Sequence, residues 1–311
     1  MLDEAAFIDP CLQSLAEQDY PGVMEVVIAD GGSKDGTIKR AEAWSGALPN
    51  LRVIDNPKRI QSHGLNLAAG EATGEILIRA DAHATYSTDY VLRSVETLLE
   101  TGAAAVGGVQ VASGDTRFGK AVAVAMAAPL AIGPARFRHA KERTETDTVY
   151  LGTFRKSDWE RLGGWRTLPS GVAEDADFYF RWKEQGARIL VEPRIESTYY
   201  PREKITSLWR QFFRYGIGKA DMLYVNGRWP SWRPTAPLLL VTGLLTTVVL
   251  ALTWSWWPLM ALIAIWLGVL AVAARGRPLA ILAAAVMHLA YGLGLLRGLL
   301  RWPAAVRAWV S

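Results

Sequence analysis

Cys11 is the only cysteine in this 311-residue chain, so no disulfide can close within it, which agrees with a reducing compartment. Charge of either sign is missing from forty consecutive residues, Thr235 to Ala274, and again from Pro278 to Leu296. An α-helix crosses a bilayer with about 20 apolar residues. The first run is therefore long enough for two crossings, with Pro258 as a natural break, and the second for one. Acids are scarce in the same region: residues 201–311 hold twelve Lys and Arg but only Glu203 and Asp221. That region carries a formal +10 against −6 for the remainder, which gives the +4 of the whole chain. Cations that flank membrane-grade stretches find lipid phosphates as counter-ions. A nucleic-acid-binding tail fits this placement poorly, and no nucleic-acid partner is expected. The opening MLDEAAF lacks a basic, apolar leader, so no cleavable signal peptide is expected. A strand ahead of the first helix is lacking too, although a doubly wound sheet normally begins with one.

What is present over the first 110 residues is an alternation of helical and strand periodicities. Glu4 to Gln18 has apolar Phe7, Ile8, Cys11, Leu12 and Leu15 at helical spacing. Strand-like runs follow at Met24–Ala29, Leu51–Ile54, Glu75–Ile78 and Ala103–Val111, separated by helical stretches at Thr37–Trp44, Gln61–Ala69 and Tyr90–Glu100. Short apolar strands alternating with helices predict a parallel sheet covered on both faces. Ligands of such sheets bind beyond the carboxyl ends of the strands, where Asp30 and Asp81 fall. Farther on, Phe118–Thr148 reads as helix plus mobile loop, Val149–Phe154 and Arg188–Val191 as strands, and Asp158–Leu162 and Asp175–Gln185 as helices. Ser207–Leu223 predicts an amphipathic helix on a membrane surface, with Leu208, Trp209, Phe212, Phe213 and Tyr215 against the lipid and Arg210, Arg214 and Lys219 near phosphates.

Four groups of residues can carry chemistry, and each has a plain structural alternative. In Asp81-Ala82-His83 two ligand-capable side chains lie two apart at a strand end, on one side of an extended segment. They could grip a divalent ion that also binds a diphosphate; alternatively Asp81 caps a turn. In Asp30-Gly31-Gly32-Ser33 the glycine pair allows close backbone approach to a ligand and Asp30 can accept from a base or ribose. The alternative is an ordinary strand-to-helix turn. Glu174, Asp175 and Asp177 place three carboxylates in four residues, which suits a general base for a sugar hydroxyl or merely an acidic first turn. In Gln211-Phe212-Phe213-Arg214-Tyr215, Arg214 offers a fork of donors and Tyr215 a flat face, or the segment is a plain interfacial helix.

In this order and spacing the four groups resemble the family 2 inverting glycosyltransferases, over Leu2 to about Ala220. The likeness is greatest to bacterial exopolysaccharide transferases of the succinoglycan type, through Asp81-Ala82-His83 and the Arg-Gln-Phe-Phe-Arg-Tyr-Gly run at 210–216. The resemblance implies a GT-A type, Rossmann-like α/β domain with a mostly parallel sheet over 1–200, interface helices over 201–234 and two to three transmembrane spans over 235–311. It implies Glu4, Asp30, Gly31 and Asp81 for the nucleotide donor and Asp81 with His83 for Mn2+ or Mg2+. Asp175 would be the catalytic base. Glu174, Gly164, Trp165, Gln211, Arg214 and Tyr215 would serve the acceptor or diphosphate. His83 stands where the family usually has a second Asp, and Tyr215 where it has Trp, which argues against a processive synthase. The implied partners are a nucleotide-sugar donor, with UDP-sugar expected, a polyprenyl-diphosphate-linked or saccharide acceptor, the bilayer, and polysaccharide-assembly proteins. Arg228 and Arg233 before the first run, and Arg275 and Arg277 after the second crossing, favour a bacterial inner membrane with the catalytic domain in the cytoplasm. The competing expectations are an inactive membrane-bound scaffold and a nucleotidyltransferase.

Overall fold

The computed structural model describes residues 1–133, 135–229 and 231–301. In chain order the elements are α1 (Ile8–Ala16), β1 (Val26–Asp30), α2 (Thr37–Glu42), β2 (Leu51–Asp55), α3 (Gln61–Glu71), β3 (Ile76–Ile78), β4 (Ala84–Tyr86), α4 (Tyr90–Thr101) and β5 (Ala105–Ala112). They continue with α5 (Arg117–Met126), α6 (Pro129–Ile132), β6 (Thr144–Glu145), β7 (Tyr150–Arg155), α7 (Lys156–Leu162), α8 (Glu174–Glu184) and β8 (Ile189–Tyr199). Then come α9 (Ile205–Asn226), α10 (Thr235–Thr253), α11 (Trp257–Ala273) and α12 (Pro278–Leu300). The backbone divides into two compact units. The first comprises Met1–Val111, Arg136–Thr167 and Glu174–Tyr199; the second takes Ala112–Ala135, Leu168–Ala173 and the chain from Tyr200 onward. Two segments ahead of residue 200 thus join the helices. One is the Ala-rich α5–α6 stretch, whose Ala121 packs with Ala274 and Ala280.

In the first unit β1 and β2 pair in parallel, with Val26 opposite Leu51 and Asp30 opposite Asp55. A second sheet runs β3-β7-β5-β8-β4, with β6 on β8. Within it β3–β7, β5–β7, β4–β8 and β6–β8 are antiparallel. The unit is therefore a mixed-sheet α/β fold, where the residue pattern predicts a mostly parallel one. Local periodicity reports that a strand exists, not which neighbour it finds, and β7 inserts between two strands that precede it in the chain. The helices cover the sheet as amphipathic elements: α4 buries Tyr90, Val91, Ser94, Thr97 and Leu98 on one face. Around Phe154 and Phe178 an aromatic core gathers, the Phe178 ring 4.8 Å from Trp165 and 4.6 Å from Trp182.

In the second unit α12 is the central helix. Ala280, Ala283, Ala284, Met287, Ala290 and Leu295 are among its buried residues. Its glycines admit neighbouring backbone: a Cβ on Gly294 would stand 2.0 Å from the Phe213 carbonyl oxygen of α9. Helix α9 buries Leu208 and Phe212. These two residues, predicted to face lipid, are buried in the protein. Among the described residues two helices are long and apolar enough to cross a membrane, α10 with 19 residues and α12 with 23, while apolar α11 has 17. They differ in surroundings: 50% of the most apolar window of α12 is buried inside the protein, against 11% for α10.

Candidate functional site

The loop between β3 and β4 carries Asp81 and His83, and its shape is set by two buried side chains. Tyr86 accepts a hydrogen bond at its hydroxyl from the Asp81 N–H (2.8 Å) and donates back to the Asp81 carbonyl (3.1 Å). The Cys11 thiol reaches the same carbonyl from α1. Burial pushes that thiol up to about 12, with the Asp81 and Glu4 carboxylates adding to the effect, so Cys11 is a packing group and a weak donor. Glu4 meets this loop: its Oε1 lies 3.6 Å from His83 Nδ1. The N-terminal Glu4 and the Asp81-Ala82-His83 motif are thereby brought together.

Asp30 has partners within its own turn. It is buried, and its Oδ2 accepts from the N–H groups of Gly32 (2.7 Å) and Ser33 (2.8 Å) while Oδ1 accepts the Ser33 hydroxyl (2.6 Å). These hydrogen bonds shape the Gly31–Ser33 backbone. Over that backbone lies Arg59, which the sequence reading missed. Its guanidinium would be 3.3 Å from a Cβ on Gly32, and its Cα 3.6 Å from one on Gly31. Arg59 is exposed and left-handed (φ 55), at the end of a turn held by Asn56, whose carbonyl accepts from the Arg59 N–H (3.0 Å) and whose N–H donates to the Asp30 carbonyl (2.7 Å). A cation in a Pro57-Lys58-Arg59 turn was the available signal.

At the start of α8 the three carboxylates separate into three roles. Asp177 is fully buried and gripped by two arginines, Arg166 at both oxygens and Arg181 at 2.9 Å. It is a structural anchor. Arg181 also donates to the Leu162 and Gly164 carbonyls, tying the Gly163-Gly164 turn to α8. Both glycines have positive φ, 80 and 66, which explains the pair. Asn66 holds the next residue, donating to the Trp165 carbonyl (2.7 Å) and accepting its N–H (2.9 Å). The Trp165 ring is 5% exposed and stacked on Phe178. Predicted as an acceptor contact, Trp165 packs among the aromatic core residues.

Glu174 is buried, and burial with the neighbouring Asp175 charge pushes its carboxyl up to about 7, against the pull of Arg79. Asp175 is partly exposed, and no ion pair holds it among the described residues. Of the three it is the carboxylate left able to meet a hydroxyl. Arg79 is the second residue the sequence reading missed. Its side chain is 9% exposed, and Nη2 lies 3.5 Å from Asp81 and 3.4 Å from Glu174. An arginine two residues before Asp81, at the end of an apolar strand, was a legible signal.

Among the described residues no three His, Cys, Asp or Glu converge as a complete metal-ligand set. Asp81 with His83 is a partial set, one carboxylate and one imidazole on a single loop. It fits an ion that takes its remaining ligands from diphosphate oxygens and water, as hard divalent cations do. In the helical unit, Gln211 donates to the Tyr215 hydroxyl (3.0 Å), and Tyr215 is 43% exposed beside exposed Arg214. These three share one open face of α9, one turn apart. They belong to the second unit, the carboxylates to the first.

The model of Glycosyl transferase family 2 matches residues 1–162. The chain is similar to the succinoglycan biosynthesis protein ExoA of Rhizobium meliloti (strain 1021), 34% identical over 96% of this chain and 93% of that protein. It is also similar to a dolichyl N-acetyl-alpha-D-glucosaminyl phosphate 3-beta-D-2,3-diacetamido-2,3-dideoxy-beta-D-glucuronosyltransferase of Methanococcus voltae, 27% identical over 73% of this chain and 74% of that one. In fold it resembles the mannosyltransferase PcManGT of Pyrobaculum calidifontis, solved with GDP-Man and Mn2+, with a TM-score of 0.61, 22% identity, and coverage of 97% of this chain and 85% of that one. S. aureus TarS 1-349 with UDP-GlcNAc gives a TM-score of 0.52 at 17% identity, covering 95% of this chain and 88% of that one. These last two likenesses concern the fold, which is of the GT-A type.

Proposed function

The chain belongs to glycosyl transferase family 2, and from that premise we propose that it moves a hexose from a UDP-sugar to a lipid-linked or saccharide acceptor at a membrane, with inversion, in exopolysaccharide synthesis. The observation that carries this reading is the division of labour in the α8 turn: Asp177 is locked, Glu174 is buried, and Asp175 alone is open. In a single displacement the acceptor oxygen bonds to the anomeric carbon, the bond from that carbon to the diphosphate breaks, and the hydroxyl proton passes to an Asp175 carboxylate oxygen. An α-linked donor then yields a β-glycoside.

Asp81 and His83 would hold a Mn2+ or Mg2+ ion, and Glu4 would orient His83. Such an ion, when bound, offsets the negative charge that develops on the leaving diphosphate. Arg59 supplies a fixed cation over the Gly31–Gly32 backbone for the donor's phosphates or ribose, and Asp30 keeps that backbone in shape. The GDP-Man and Mn2+ of one fold neighbour and the UDP-GlcNAc of another support a nucleotide-sugar donor and a divalent ion. The dolichyl name of one relative supports a lipid-linked acceptor, and the succinoglycan name of another the exopolysaccharide setting.

A membrane site is supported by α10 and α11. Leu239, Leu252, Trp254, Val272 and Trp257 are all exposed on them or at their ends, in segments without charge. Basic residues at both ends of this hairpin, Arg228 and Arg233 before it and Arg275 and Arg277 after it, put those ends on the cytoplasmic side. Gln211, Arg214 and Tyr215 then serve a diphosphate or an acceptor near the headgroups.

The test is UDP release from UDP-glucose by the membrane fraction with Mn2+ and a lipid acceptor extract, beside Asp81→Ala. UDP released by the parent and not by the variant supports the reading. Pyrophosphate as the product, or silence across a panel of UDP- and GDP-sugars, overturns it.

A further inference from the structure

The Arg79 backbone is fixed by the sheet, its N–H donating to the Gly152 carbonyl of β7 (2.9 Å). Residues i and i+2 of an extended segment point to one side, so Arg79 and Asp81 face the same way. A buried guanidinium is costly unless charge partners compensate it. Arg79 has two partners, and they come from different parts of the chain: Asp81 on the β3–β4 loop and Glu174 at the start of α8. One nitrogen, Nη2, serves both: it donates to Asp81 Oδ1 at 3.5 Å and lies in ion-pair contact with Glu174 Oε1 at 3.4 Å. Its Nε has no hydrogen-bond partner among the described residues. The arginine is thus committed to bridging the two carboxylates, with no other side-chain role in this packing.

The first turn of α8 is pinned twice. Arg166 and Arg181 hold Asp177 at one end, and Arg79 holds Glu174 at the other. Between them lies Asp175. The Asp177 anchor ties α8 to its own neighbourhood, the Gly163–Trp165 turn. The Arg79 anchor ties it to the Asp81 loop.

We propose that Arg79 is a positioning residue: by bridging Asp81 and Glu174 it fixes the distance between the donor loop and the turn that presents Asp175. The inference rests on the transferase reading above and adds the group that couples the two halves of the reaction. Removing the bridge leaves the two carboxylates facing each other without compensation, and both loop and turn relax away. A displacement of about 1 Å between reacting groups costs on the order of a hundredfold in rate.

The experiment is a cycle of Arg79→Met, Glu174→Gln and the double variant, with Arg79→Lys as the conservative change. Turnover of UDP-glucose (kcat and KM) and binding of UDP by calorimetry are measured on full-length protein in detergent, with circular dichroism melts as the control for folding. Arg79→Met is expected to lower kcat about a hundredfold. Arg79→Lys, which keeps a charge beside both carboxylates, recovers about tenfold of that and stays about tenfold below the parent, on the order of one lost hydrogen bond. The double variant exceeds Arg79→Met, because the neutral amide introduced by Glu174→Gln no longer repels Asp81; a merely structural arginine would give losses that add. If Arg79→Met does not fold, the kcat of Arg79→Lys at unchanged UDP affinity carries the test. Parent-like kcat in Arg79→Met or Arg79→Lys, or a double variant no better than Arg79→Met, overturns the inference while the parent's own turnover leaves the transferase reading standing. A parent that neither binds UDP nor turns over any donor removes both.

Discussion

The two units of this chain are held together by opposite means. The α/β unit buries charge: Asp177 between two arginines, Arg79 between two carboxylates, Glu192 beneath Arg143 and Arg194. The helical unit buries almost none among its described residues, Asp221 being its exception, and instead brings backbones together at Gly216, Gly292, Gly294 and Gly298. The difference fits the function proposed above. A site that must hold carboxylates at set distances needs fixed counter-charges, and buried pairs are worth their desolvation where they specify geometry. On the proposed membrane reading, helices that meet lipid would gain little from apolar burial against one another, and close packing of small residues would take over.

The comparison is broken most severely at Asp175. Asp175→Asn is expected to lower kcat by about 10²- to 10⁴-fold, the usual worth of a general base, with UDP affinity retained. Asp177→Ala should do the reverse, acting on stability first. It leaves Arg166 and Arg181 facing an empty anchor, an expected loss of about 3–5 kcal/mol read from the denaturation midpoint. An Asp175→Asn enzyme with parent-like turnover would move the base elsewhere in the acidic turn.

The helical unit is probed by a methyl group. Gly294→Ala puts a Cβ 2.0 Å from the Phe213 carbonyl oxygen. Backbone must shift, and about 1–3 kcal/mol of stability is lost. Gly268→Ala, on α11 with nothing within 4 Å of the new atom, is the control and is expected to be neutral or slightly stabilising. Thermal shift in detergent measures both. Equal losses at the two positions would mean that close approach of α9 and α12 is not what holds the unit.

Legibility in the sequence followed the same divide. The helices and most strands of the α/β unit are readable because amphipathic periodicity marks them, as in α4 and in β1 with its terminal Asp30. Sheet direction is not, because β7 pairs with strands far from it in sequence. Asp81, His83, Glu174 and Asp175 stand out as candidates by type and spacing. The partners of Asp30 and Trp165 are not legible, because nothing local says where a side chain turns: the Asp30 carboxylate accepts from its own turn, and Trp165 stacks on Phe178. Arg79 escapes a local reading because its meaning depends on Glu174, far along the chain. In the helical unit the apolar runs are plain, yet Leu208 and Phe212 read as lipid-facing although both are buried, because apolar type alone does not say whether lipid or protein covers a side chain.

The mildest test separates two buried glutamates of the α/β unit by pH. Burial and the Asp175 charge raise Glu174 from 4.5 to about 7. Glu192 is buried too, but hydrogen bonds from Arg194 and Arg143 overcome that and hold it at about 2. A raised carboxyl binds its proton more tightly folded than unfolded, so the stability it contributes is full below about 4.5 and lost as pH rises through about 7. A lowered one contributes stability above about 4.5 that is lost as pH falls towards about 2. Between about pH 5 and 7 only Glu174 of the two is in its window. Melting temperature should therefore decline over that range, each pH unit worth at most about 1.4 kcal/mol, and Glu174→Gln should flatten the decline. Glu192→Gln should leave that slope intact and lower the whole curve, because it removes an acceptor that Arg143 and Arg194 both use. A slope that survives Glu174→Gln would mean that Arg79 holds the Glu174 carboxylate ionised across the range. The burial around Glu174 would then weigh less than the bridge.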